Sequence, residues 1–208
     1  MDSILDLAKK HDLFVLEDNA QAIGATHTFT NGKEAKTGTL GNVGATSFFP
    51  SKNLGAYGDG GAILTNDDEL AHFIRAIVNH GMYKRYYHDV VGVNSRLDAL
   101  QASVLKVKLQ YLDFYNERRK EAAIRYSDYF KNHKNLVIPY KAGACNSHVF
   151  HQYTLKLDDS IVRDELIQYL AEKNIPAMVY YPVPAHRQKM FSKIPNSYGN
   201  MKVTNWLS

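Results

Sequence analysis

Apolar residues fall in short, punctuated runs over the first half of the chain and in a longer helical stripe after it. Ile4, Leu5, Leu7 and Ala8 recur between charged residues, with Asp2 or Ser3 ahead of them as a cap, and predict a short helix over 2–12. Leu13-Phe14-Val15-Leu16 is continuous and predicts a parallel strand covered on both faces. Runs at 44–49 and 61–65 predict two more strands. Asn66 or Asp67 then stands as the cap of a helix to about His80, with Gly81 as its terminator. Ser95 opens a long helical region from Arg96 to about Lys131, with Leu97, Leu100, Leu105, Leu109 and Leu112 on or near one stripe. Its polar stretch, Asn116-Glu117-Arg118-Arg119-Lys120-Glu121, reads as the exposed side of a helix linking two lobes. Strands near 136–139, 148–157 and 177–181, with a helix over about 161–173, predict a small second lobe.

The fold class expected from this pattern is α/β. A partial large domain over 1–95 carries a mostly parallel sheet, a helical connection spans 96–131, and an incomplete α/β lobe fills 132–208. The first lobe holds too few strands to complete a sheet from βαβ units.

Composition narrows the chemistry by exclusion. With 45% hydrophobic and 22% charged residues the chain reads as ordinary globular protein, and no apolar run approaches the ~20 residues that span a bilayer. The start lacks the basic and apolar regions of a signal peptide, and Cys145 is alone, which leaves no disulfide framework or thiolate cluster. A cytoplasmic protein is expected. The net charge of +4 is spread out, so nucleic acid is not the expected partner, although a local basic cluster suits a nucleotide diphosphate. His80, His88, His148 and His151 lack metal-ligand spacing and read as surface or packing residues, so no metal is expected.

One stretch carries most of the chemistry: Ser47-Phe48-Phe49-Pro50-Ser51-Lys52-Asn53-Leu54-Gly55-Ala56-Tyr57-Gly58-Asp59-Gly60-Gly61. It sets a lysine on a glycine-punctuated turn directly after a short apolar strand. Near other positive or polar groups such an amine loses its proton more readily and can form a Schiff base with an aldehyde. The spacing matches neither a phosphate-binding P-loop nor a dinucleotide fingerprint. Earlier in the chain Leu16-Glu17-Asp18-Asn19-Ala20-Gln21-Ala22 also ends an apolar run. An acid at one strand end and a lysine at the next suit pyridoxal 5'-phosphate, because the carboxylate keeps the pyridine nitrogen protonated and the lysine holds the aldehyde. Plainer roles stand beside these. Lys52 can be a surface lysine, Asp18 a helix N-cap, Ser47 a backbone-satisfied strand residue and Asn94 a turn residue, while Arg96 can pair with Asp98 or another acid.

Glu17-Asp18-Asn19-Ala20-Gln21, then Gly44-Ala45-Thr46-Ser47-Phe48-Phe49-Pro50-Ser51-Lys52, then Gly92-Val93-Asn94-Ser95-Arg96-Leu97-Asp98 resemble the three signatures of the nucleotide-sugar aminotransferases. These are pyridoxal-phosphate enzymes of the aspartate-aminotransferase fold type. The resemblance runs along nearly the whole chain, and over residues 47–108 it looks closest to enzymes of UDP-linked keto-uronic acids. It implies amino transfer, with glutamate as expected donor, to a keto-sugar nucleotide in amino-sugar synthesis for surface polysaccharide. It also implies a homodimer with shared active sites. Lys52 would be the cofactor lysine, Asp18 the partner of the pyridinium nitrogen, Gln21 a contact of the ring or its phenolic oxygen, and Ser47 a phosphate ligand. Asn94 would reach the phosphate of the partner's cofactor. Arg96 and Tyr181 would meet a substrate carboxylate, although Tyr180 stands where uronic-acid enzymes tend to have histidine. Related dehydratases carry histidine in place of the lysine, so Lys52 speaks for transamination. Family members extend before the position of Met1 and beyond that of Ser208. The chain is therefore expected to be the middle of such an enzyme, without the helix that receives the cofactor phosphate. The alternative is a non-catalytic truncated fragment or an interaction segment.

Overall fold

The first helix, α1 (Asp2–His11), forms over the predicted span, with Asp2 in its first turn and Lys9, Lys10 and His11 in its last, each charge matched to the helix dipole. Asp2 also accepts hydrogen bonds from Thr30 N–H (2.9 Å) and Thr30 Oγ (2.8 Å) and meets His27 Nε2 at 3.1 Å, which holds its carboxyl below the usual range. The computed structural model describes residues 1–141, 147–193 and 199–208; Cys145 lies outside them.

Three strands form the principal sheet: β1 (Leu16–Asp18), β4 (Val43–Ser47) and β5 (Gly61–Leu64), in the order β1-β4-β5. Between the first two lies a hairpin of β2 (Thr26–Thr28) and β3 (Glu34–Lys36), turned at Asn31-Gly32 with Gly32 at φ +82°. The sheet is mixed. β1 and β4 are parallel, while β4 and β5 are antiparallel, because residues 48–60 fold back without a crossover helix and Phe48 N–H reaches Gly60 O (2.8 Å) to extend the ladder. β1 begins where the apolar run 13–16 ends, so Leu13, Phe14 and Leu16 stay 60%, 61% and 60% exposed. The expected cover on both faces does not form among the described residues, and β1 is an edge strand of a three-stranded sheet.

Asp67 caps α2 (Asp68–Ile77) by accepting from Leu70 N–H at 2.9 Å. The chain leaves the helix through His80 (φ 62°) and Gly81 (φ +75°), where a Cβ would sit 1.7 Å from Val90 O. It then enters a hairpin of β6 (Met82–Lys84) and β7 (Tyr87–His88). The expected continuous helix is two: α3 (Ala99–Leu109) and α4 (Leu112–Phe130), interrupted at Gln110 and Tyr111. Arg96 precedes α3 because Ser95 N–H is tied to Val78 O (2.9 Å) and Asn94 bridges to Asn79, which holds this stretch extended. Leu54, Ala56, Leu105 and Leu112 form a buried cluster with Ile23 and Phe48 against it.

The chain divides into two compact units, residues 1–124 with 141–152, and 125–140 with 153–208. The second holds the short pair β8 (Leu136–Val137) and β9 (Lys156–Leu157), then α5 (Arg163–Glu172) and α6 (Lys202–Trp206). The predicted strand over 148–157 is thus split between units, and only its end forms a ladder. The predicted strand over 177–181 pairs with nothing among the described residues. No helix among them is long and apolar enough to cross a membrane.

Candidate active site

In the β1–β4 pair Leu16 lies opposite Val43, Glu17 opposite Gly44 and Asp18 opposite Ala45. The two strands run the same way, so their C-terminal ends open on one sheet edge, the usual place for a ligand in an α/β sheet. Successive side chains alternate faces, which separates the two neighbouring acids. Glu17 accepts backbone N–H groups from Gly38 (2.8 Å), Leu40 and Gly41 (2.8 Å) and clamps the loop before β4. Asp18 is exposed. One of its oxygens accepts from Ala20 N–H (3.0 Å) and the other has no partner among the described residues.

The capping role weighed for Asp18 is realised on a turn, not a helix. Residues 20–24 form consecutive turns, with Ala22 N–H donating to Asn19 O (3.1 Å), and exposed Gln21 stands in them. Asn19 N–H donates to Ala45 O (2.8 Å) and Thr46 Oγ donates to Asn19 O (3.2 Å), so this turn is fastened to β4.

Ser47 ends β4, half-buried, its Oγ accepting from Phe49 N–H at 3.2 Å. Lys52 N–H donates to Phe49 O (2.8 Å) to close a tight turn, and its half-buried side chain has no hydrogen bond or ion pair among the described residues. The chain then dives inward: Asn53, Leu54, Gly55 and Ala56 are all buried. Gly55 is required by close approach, since a Cβ would meet Pro50 O at 2.3 Å. Lys108 Nζ donates to Gly55 O and lies 5.5 Å from the Tyr57 ring centre, while Tyr57 N–H donates to Gln101 Oε1 (2.8 Å).

Several residues here escaped the sequence reading. Asn53 Nδ2 donates to Asn116 Oδ1 (2.7 Å) and Val149 O (3.1 Å), and Asn116 Nδ2 donates to Ile23 O (3.1 Å). The run 116–121 is therefore not a uniformly exposed face, for Asn116 is buried and Arg119 Nη1 donates to His151 O (3.1 Å). The only sequence signal for Asn116 is its place one helical turn after Leu112, on a buried stripe. Buried polar atoms without a partner among the described residues are Asn19 Oδ1, Asn53 Oδ1 and His151 Nδ1.

His151 is a partly buried packing histidine, and burial and then the Lys52 and Arg119 charges hold its pKa down. His148 is lowered by burial and by Lys141. Both stay neutral in the folded chain where the unfolded chain has already taken a proton. Stability is thus full above pH ~6.5 and falls as the pH drops through the lower folded values. His151→Gln is expected to flatten the acid side of a plot of urea midpoint against pH, and an unchanged slope would refute the assignment.

Asn94 and Arg96 form a separate, exposed cluster. Arg96 Nε donates to Asn94 Oδ1 (3.0 Å) and Nη1 to Asn79 Oδ1 (3.4 Å), so its fixed contacts are amides and not Asp98. With Thr46, Asp59, Arg75 and Ser95 it lines a groove of about 610 Å³ that none of Asp18, Ser47 and Lys52 lines. Tyr181 belongs to the second unit, exposed, with the Tyr180 ring edge-on at 5.4 Å. Among the described residues no group of three or more His, Asp or Glu is arranged to hold a metal.

The chain has relatives. A pleiotropic regulatory protein of Geobacillus stearothermophilus is 47% identical over 202 residues, 97% of this chain and 52% of its own length. UDP-N-acetyl-3-dehydro-alpha-D-glucosamine 3-aminotransferase of Acidithiobacillus ferrooxidans is 45% identical over 192 residues, 92% of this chain and 49% of its own. The crystal structure of S. venezuelae DesV in complex with a ketimine intermediate superposes with a TM-score of 0.88 at 36% identity, covering 100% of this chain and 53% of DesV. The chain spans about half the length of the curated relatives it matches. A family model matches residues 1–208 throughout, and the chain belongs to the DegT/DnrJ/EryC1/StrS aminotransferase family.

Proposed function

We propose that this chain is the lysine-bearing part of a pyridoxal-phosphate-dependent aminotransferase. It moves an amino group, with glutamate as donor, onto a keto-sugar carried by a nucleotide, in amino-sugar synthesis for surface polysaccharide. The observation that carries this reading is the parallel register of β1 and β4, which brings Asp18 and the turn of Lys52 to one sheet edge in a chain of an aminotransferase family. The donor set suits the cofactor by its chemistry. Asp18 keeps one carboxylate oxygen open for a pyridinium N–H, the Ser47 hydroxyl accepts one bond and keeps its proton for a phosphate oxygen, and the Lys52 amine is uncommitted among the described residues.

Pyridoxal phosphate, when bound, supplies the aldehyde that takes up the amino group and the ring that accepts an electron pair. Lys52 Nζ would hold that aldehyde carbon and, when displaced by the amino donor, carry a proton between the substrate carbon and the cofactor carbon. Asp18 would keep the ring nitrogen charged, Gln21 would lie against the ring or its phenolic oxygen, and Ser47 would bind the phosphate. Asn94 Nδ2 has no partner among the described residues, which leaves it for the phosphate of a partner subunit's cofactor in a cytoplasmic homodimer.

A protein in which this chain is joined to the half that its relatives carry beyond it, loaded with pyridoxal phosphate, is expected to convert glutamate and a UDP-linked keto-sugar to 2-oxoglutarate and amino sugar in a one-to-one ratio. Neither product, with the cofactor bound, would leave the non-catalytic alternative. Arg96 extends the reading to a carboxylated sugar. Arg96→Ala is expected to weaken a keto-uronic acid substrate by ~2–5 kcal/mol if the bound sugar buries its carboxylate against the guanidinium, and to change an uncharged keto-hexose little. Equal losses in kcat/KM for both sugars would make Arg96 structural.

A further inference from the structure

Asn116 lies 63 positions from Asn53, yet its side chain joins the two turns on which the proposed chemistry depends. Its Oδ1 accepts from Asn53, the residue after Lys52, and its Nδ2 donates to Ile23 O, in the turn that follows Asp18 and carries Gln21. Both amides are buried, Asn53 at 6% and Asn116 at 8% exposure. Both protons of Asn53 Nδ2 are taken, the second by Val149 O, which brings in the segment leading to His151. Gly24 makes room for the amide: a Cβ there would sit 2.4 Å from Asn116 Nδ2.

An apolar residue would be the simpler choice at this position. Asn116 follows Leu112 by one turn and precedes buried Ala123 on the same helix, and burying an amide is favourable only when its bonds are made. A core position that departs from the apolar pattern, with its bonds directed at two functional turns, is the kind of local conflict that marks a site. We propose that Asn116, acting through Asn53, is a positioning residue that locks the Lys52 turn to the Asp18–Gln21 turn and so fixes where the Lys52 amine stands at the sheet edge. The proposal rests on the role assigned to Lys52.

Asn116→Leu, Asn53→Ala and the double variant test it, with far-UV circular dichroism and urea melts establishing that each is folded. Two readouts separate the lock from the chemistry. Backbone exchange at the N–H groups of Lys52 and Ala56, bonded to Phe49 O and Phe48 O, reports the turn, with the β2–β3 hairpin as internal reference. Trapping by pyridoxal and borohydride, read as the ratio of adduct at Lys52 to adduct at surface Lys131, reports the amine.

Asn116→Leu is expected to speed exchange at both N–H groups by about tenfold or more without changing the hairpin, and to lower the labelling ratio by a similar factor. The double variant should lose clearly less than the sum of the two single ones, because they share the Asn53–Asn116 bond while each also loses one of its own, to Val149 O or to Ile23 O. Unchanged exchange in a folded Asn116→Leu protein, faster exchange with an unchanged ratio, or losses that add in the double variant would each overturn the proposal. Selective labelling of Lys52 in the unaltered protein that survives Asn116→Leu would reject the lock and leave the lysine's role standing. No preference for Lys52 in the unaltered protein would reject the lysine's role itself, and the proposal with it, even where Asn116→Leu loosens the turn. Asn53→Ala, which removes the same bond from the Lys52 side, carries the test if the leucine variant does not fold.

Discussion

Lys52→Ala is expected to lower amino transfer by about 10⁴-fold or more while leaving the fold almost untouched. The loss is large because one amine is asked both to hold the aldehyde carbon and to carry the proton, and proton transfer by a positioned group alone contributes about 10²–10⁴. The fold survives because the Lys52 side chain is half-buried and has no hydrogen bond or ion pair among the described residues. The turn itself is held by backbone bonds, Lys52 N–H to Phe49 O and Ala56 N–H to Phe48 O, and by Asn53 and Leu54 behind it. An unfolding free energy in urea within about 0.5 kcal/mol of that of the unaltered protein is therefore expected, as for a surface substitution. Loss of rate together with loss of fold would mean that the lysine is structural, and turnover near the original rate would remove it from the chemistry.

Glu17→Ala is expected to do the reverse, damaging the fold first. Its carboxylate is the common acceptor of Gly38, Leu40 and Gly41 N–H groups in the loop that delivers the chain into β4. Hydrogen bonds to an ionised acceptor contribute about 1.5–3 kcal/mol, and donors left without a partner add a penalty. Partial solvent access reduces the sum, so a loss of roughly 2–4 kcal/mol in urea unfolding is expected. Glu17→Gln keeps an acceptor but exchanges a charged partner for a neutral one, and should fall between the two. A loss below about 0.5 kcal/mol for Glu17→Ala, the range of an ordinary surface substitution, would show that the loop is held by other contacts.

Much of the candidate site can be read along the chain because its residues are local. Lys52 sits among glycines and a proline that force a turn, and Asp18 ends a strand, so residue type and neighbours point to the same positions. Asp67 likewise announces its helix by a cap three residues from its partner. What depends on distant partners is not readable in this way. Asn116 lies beside Glu117 and Arg118, both exposed, and only the approach of Asn53 and Ile23 buries it.

His151 has an ordinary sequence context, and its pKa is set by burial and two cations brought to it by folding. The leucine stripe after Ser95 continues in phase across the break at Gln110 and Tyr111, so periodicity alone joins α3 and α4. Two signals were readable and bear on the result. Asn31-Gly32 is a hairpin turn that predicts β2 and β3, and strand alternation separates the faces of Glu17 and Asp18.

The central claim is that Lys52, of all the lysines, is the residue that takes an aldehyde. The direct measurement is to incubate this chain, joined to the half that its relatives carry beyond it, with pyridoxal 5'-phosphate, reduce with borohydride, digest, and find the modified peptide by mass spectrometry. The account predicts one dominant adduct, on the peptide containing Lys52, with loss of the visible absorbance of the protonated cofactor–lysine linkage on reduction. A dominant adduct on another lysine, or label spread over the surface lysines in proportion to their exposure, would contradict it.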